Sequence, residues 1–117
     1  MKLKLGKGSS FVKSRLRRYP QEDVVWEADF QPIPDEEKGE FWLGMVVDQE
    51  VGVDLAHQVL EAPPTVNDLA RILAEAIQRP IVKGSRHRPS TILVRNDPQW
   101  EELLPHLREL GMEVVKT

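Results

Sequence analysis

The sequence predicts a single α/β domain with a mixed sheet and the element order β-β-β-α-β-α-β. Three antiparallel strands come first, then parallel strands reached through crossover helices. Three observations carry this. Residues 24–60 hold three runs with strand character joined by short connections, as an antiparallel meander requires. Two segments with helical apolar spacing follow, over 65–80 and 97–110. They alternate with short runs rich in β-branched residues, "TILVRN" and "MEVV". A strand reached through a helix lies parallel to its neighbour by a right-handed crossover. At 117 residues the chain fits one domain with a modest core.

The elements read in order. Residues 24–31, "VVWEADFQ", alternate strictly: Val24, Trp26, Ala28 and Phe30 form one face, and Val25, Glu27, Asp29 and Gln31 the other. "PIPDEEKGE" has loop composition. "FWLGMVVD" (41–48) is apolar on both faces, which predicts a central strand covered on both sides. "VDLAHQVL" (53–60) is the third strand, with Val53, Leu55, His57 and Val59 on one face.

Pro63 and Pro64 end the strand pattern, and Thr65 opens the clearest helix as its N-cap, with Asp68 completing a capping box. Val66, Leu69, Ile72, Leu73, Ala76 and Ile77 make its apolar stripe, and Pro80 stops it. A basic loop, "IVKGSRHRPS", precedes the strand at 91–96. Asp97 then caps a second helix that has Pro98 at its first position. Its stripe is Trp100, Leu103, Leu104, Leu107 and Leu110, and Gly111 ends it. Pro105 falls inside this span and predicts a kink costing about 3 kcal/mol.

Charge divides the chain into a basic N-terminal arm, 1–20, and a domain over 21–117. The arm holds seven Lys and Arg and no acid; the rest carries nine bases and all 19 acids. Such an arm binds an anionic partner, folds back on its own body, or is solvated. The absence of cysteine removes disulfides and thiolate metal sites, and fits a cytoplasmic, bacterial-type protein. No apolar run nears the roughly 20 residues that span a bilayer, so no membrane partner is expected.

The element order and several residues resemble the ribonuclease H-like superfold, in particular transposase and integrase catalytic cores. The first strand of those cores carries a Trp, an Asp three residues on, then a Thr and a proline. Here Trp26, Asp29 and Pro32 match, with Gln31 at the Thr position. "MVVD", ending at Asp48, resembles the end of their second strand. "VRNDPQW" resembles their Asp-Asn-Gly-x-x-Phe, with Asp97 at the Asp. "RPSTILVRND" (88–97) is also similar to a strand in a bacterial, largely cyanobacterial, family of uncharacterised domains.

The resemblance implies a divalent-metal site, Mg or Mn, on Asp29 and Asp97, with Asp68 or Glu75 as a helix acid. Two ions held by such acids activate water and stabilise the leaving oxygen. The sequence departs from the pattern where the chemistry lies. Pro98 and Gln99 replace Asn-Gly, and the chain stops at Thr117, before the helix that carries the third acid. A degenerate, truncated core without catalysis and without a cofactor is therefore the leading expectation, and a metal-dependent nuclease the alternative. Each acid also has a plain structural role: Asp97 as an N-cap, Asp29 as an ion-paired strand residue, Asp48 as turn chemistry. Arg15, Arg17 and Arg18 of the arm and Lys83, Arg86 and Arg88 of the loop are the candidate phosphate contacts, which makes nucleic acid one expected class of partner. With two helices to cover two sheet faces, part of one face is expected to be bare. That predicts a homodimer or a protein partner.

Overall fold

The computed structural model describes residues 3–35 and 39–117. Lys2 of the basic arm and Glu36, Glu37 and Lys38 of the acidic loop lie outside the described residues. The elements are α1 (Lys13–Leu16), β1 (Gln21–Asp35), β2 (Gly39–Asp48), β3 (Val53–Leu60), α2 (Val66–Gln78), β4 (Arg88–Val94), α3 (Leu104–Glu109) and β5 (Glu113–Lys116). They form an α/β fold around one five-stranded mixed sheet, ordered β3-β2-β1-β4-β5. β1 pairs antiparallel with β2, and β2 antiparallel with β3; β4 runs parallel to both β1 and β5.

This topology decides where the core sits. β3, β1, β4 and β5 all point the same way, and both crossovers, β3 to β4 and β4 to β5, step toward the β5 edge. Two right-handed crossovers advancing in one direction put both helices on the same face. The core has that form. Trp26, Ala28, Phe30, Val46, Ile92 and Val94 from the sheet are buried in one cluster with the stripes of α2 and α3. Phe11 and Leu16 join the same cluster, so the basic arm docks on the helical side through its apolar residues. Lys13 ties α1 to α3 through Glu109 at 2.6 Å.

Several local expectations change. β1 runs on through Pro32 and Pro34 to Asp35, where the composition predicts a loop. β4 accompanies β1 only as far as Ala28, so the prolines remove no bond from that side. β3 does not keep one face. Val46 lies opposite Ala56 and Val47 opposite Asp54, so Leu55 is an extra residue in a bulge. Leu55 and Ala56 are consecutive buried residues, and His57 and Val59 turn outward.

The span 97–110 is not one kinked helix. Asp97 caps a 3-10 turn over Pro98–Trp100, and α3 begins afresh at Leu104 with Pro105 in its first turn. A proline there leaves no bond unmade. α2 forms with both halves of its capping box in place.

Candidate functional site

Asp29 lies one residue past the Ala28–Val94 pair, level with Arg95 at the end of β4. The Arg95 guanidinium donates to both carboxylate oxygens, at 3.1 and 2.8 Å. Burial of the Asp29 carboxylate is the largest single influence on its pKa and pushes it up. The hydrogen bond and charge of Arg95, with bonds from the Phe30 N–H and Gln31, together outweigh it and hold the group below the ordinary value. Asp97 also lies close enough to Arg95 to favour its charged form. The structure thus brings Asp29 and Asp97 to the same end of the sheet, with a guanidinium placed to balance both. Asp97 spends its oxygens on its own turn, accepting from Gln99 N at 3.1 Å and Gln99 Nε2 at 3.0 Å.

Asp68 does not join them. It is on α2, across the sheet from Asp29, where it accepts from Thr65 N at 2.8 Å and pairs with Arg71 at 2.6 Å. Glu75 is bound to Arg79 at 2.8 Å. Among the described residues, no group of three or more His, Cys, Asp or Glu side chains is arranged to hold a metal ion. Asp48 accepts from Glu50 N at 2.9 Å within the β2–β3 turn.

The candidate cations lie elsewhere. Gln21 and Arg88 are partners at the start of β1 and β4, so Arg17 and Arg18, just before β1, and Lys83 and Arg86, just before β4, enter at the same end of the sheet. Asp97 is at the other end, roughly 20 Å away along β4 at about 3.3 Å per residue. Arg15, Arg17, Arg18, Lys83 and Arg86 are exposed, with no ion pair to any described residue. Arg88 is different. Its guanidinium donates to Tyr19 O at 3.0 Å and to Leu110 O, tying the segment before β1 to the end of α3.

The sheet face turned away from the helices is uncovered. Its residues are set by register: Leu43 lies between Gln31 and Val59, Met45 between Asp29 and His57, and Val47 beside Glu27, which neighbours Leu93. Val25, Phe41, Leu43, Met45, Val47 and Leu93 are half-buried, and none belongs to the core cluster. Val59 is 61% exposed, Ile33 42% and Val115 40%, and they widen the strip. β2 is thus apolar on both sides but covered on one, against the expectation of a doubly covered strand. The signal was in "FWLGMVVD", whose outward residues are Phe41, Leu43, Met45 and Val47.

Among the described residues, no helix is long and apolar enough to cross a membrane. No curated protein matches the chain. Residues 13–117 match the domain of unknown function DUF6930, and the chain belongs to that family.

Proposed function

We propose that this chain is a non-catalytic, ribonuclease H-like module that associates with a second copy of itself through the bare sheet face. The observation that carries this is the segregation of α1, α2 and α3 to one side of the sheet, leaving an apolar strip on the other. Single exposed hydrophobics are ordinary; here Phe41, Leu43, Met45 and Val47 form a row along β2, with Ile33 beside Phe41 and Val59 beside Leu43, flanked on β1 by Glu27, Asp29 and Gln31, and an apolar row of this length marks an interface.

The size of the face suits a dimer. Five strands at about 4.8 Å spacing and eight residues at about 3.3 Å each give a flat footprint of about 600 Å² per copy. Two copies stacked this way reach the lower end of the roughly 1,200–2,000 Å² typical of stable interfaces. Sheets also pack face to face as sandwiches, so a second copy is a chemically matched cover.

The ribonuclease H-like assignment is supported by the element order and by the places of the resembling residues. Trp26 and Asp29 are on β1, Asp48 ends β2, and Asp97 follows β4. The lack of catalysis is supported by Arg95, a cation built into the chain between the two acids that would otherwise receive a metal. The competing reading, a divalent-metal nuclease on Asp29 and Asp97, draws on their shared end of the sheet.

The test is the mass in solution, by light scattering at tens of micromolar, for wild type and for Leu43→Glu and Met45→Glu. A wild-type dimer and monomeric variants with unchanged circular dichroism are expected. A monomeric wild type, or variants that stay dimeric, would overturn the proposal.

A further inference from the structure

A cavity of about 330 Å³ lies on the helical side of the sheet, where the β2–β3 turn meets the loop between α2 and β4. Val53, Leu55, Ala76 and Pro80 are among its apolar walls. Trp26 and His87 also line it, their rings edge to face with centroids 5.5 Å apart. Apolar walls with a few polar groups, at this volume, are the make-up of small-ligand pockets.

Each of these two residues has a polar atom that is buried without a partner: Trp26 Nε1 and His87 Nε2. Trp26 is wholly buried. Buried polar groups are nearly always satisfied, so two orphans on one cavity wall point to something that fills it. The chemistry of the pair is defined. An indole N–H only donates. His87 Nδ1 faces three oxygens, Ser85 O at 2.9 Å, the Glu22 carboxylate at 3.1 Å and Ser85 Oγ at 3.3 Å, so it carries the ring hydrogen. In the neutral ring, Nε2 is then a bare acceptor. The two orphans are one donor and one acceptor beside Val53 and Leu55, while Lys83 and Ser85 also line the cavity. Asp48, also at the wall, has its Oδ1 engaged by its own turn.

We propose that this cavity binds a small uncharged ring bearing a carbonyl beside an N–H, that is, a cyclic amide. The carbonyl accepts from Trp26 Nε1–H, the ring N–H donates to His87 Nε2, and the ring body packs on Val53 and Leu55. Lactams and pyrimidine or purine bases share this edge. The site lies across the sheet from the proposed dimer face and does not depend on it.

The test is a titration of the full chain followed through the indole N–H resonances of Trp26, Trp42 and Trp100, with δ-valerolactam, uracil and benzoate as probes. A saturable shift of the Trp26 resonance with a cyclic amide is expected, Trp42 and Trp100 staying in place, with at least a tenfold loss of affinity in His87→Phe. Response to uracil but not the lactam would assign a nucleobase; response to both, the amide edge alone. No selective Trp26 shift at millimolar probe would overturn the proposal and leave the cavity to water. Binding of benzoate in preference to both amides would overturn the ligand class. If His87→Phe does not fold, as judged by its spectrum, the wild-type preference among the three probes decides by itself.

Discussion

Asp29 and Arg95, 66 residues apart in the chain, meet through two hydrogen bonds at the ends of adjacent parallel strands. The pair stands where the resemblance to integrase cores would place a metal ion. Its consequences are measurable. Arg95 holds the Asp29 pKa below the ordinary aspartate value of about 3.9. A carboxylate with a depressed folded pKa contributes stability that is complete above the unfolded value and lost as pH falls through the folded one. Arg95→Ala is therefore expected to cost no more than about 1 kcal/mol at neutral pH, since the guanidinium is largely exposed. The difference from wild type should shrink as pH falls below the ordinary aspartate range and vanish once Asp29 is protonated in the folded protein as well. Urea denaturation at several pH values checks it. Titration with Mn²⁺ should give no selective broadening at Asp29 and Asp97 in wild type. Selective broadening of both at low stoichiometry would restore the nuclease reading.

Arg88 and Arg86 are neighbours in the loop but should behave oppositely. Arg88→Ala leaves Tyr19 O and Leu110 O without their donor, and a charged donor to a carbonyl contributes about 1.5–3 kcal/mol. Arg86 is exposed, and Arg86→Ala should change stability by less than about 0.5 kcal/mol. Thermal midpoints separate the two. Arg86→Ala with Lys83→Ala is accordingly the clean variant for nucleic acid. Any binding of wild type at low salt should weaken in it, while a loss in Arg88→Ala would reflect folding.

Pro105 distinguishes the single kinked helix from the two short helical pieces. Were it in a helix interior, replacing it would relieve about 3 kcal/mol. In the first turn of α3 it makes no clash and removes no bond. Pro105→Ala should leave the urea midpoint nearly unchanged, with a small loss from greater freedom of the unfolded chain. A gain above about 2 kcal/mol would mean a continuous strained helix.

The sequence alone determined what is settled within a few residues. The Thr65–Asp68 box, the stripe from Val66 to Ile77, the alternation of Val24, Trp26, Ala28 and Phe30, and Gly111 after α3 each encode a local periodicity or cap, so these elements were legible, whereas α1 was not. Asp97 as a cap was legible for the same reason, though it caps a 3-10 turn. Tertiary structure decided what depends on partners far along the chain. Leu55 could not be read as a bulge because the mismatch exists only against Val46 and Val47 of β2. Arg95 could not be read as the partner of Asp29 because that contact is made by the register of β1 on β4. Trp26 and His87, 61 residues apart, come to share a cavity wall for the same reason. The bare face behind Leu43, Met45 and Val47 follows from both crossovers stepping the same way across the sheet, a property of chain path that no local pattern records.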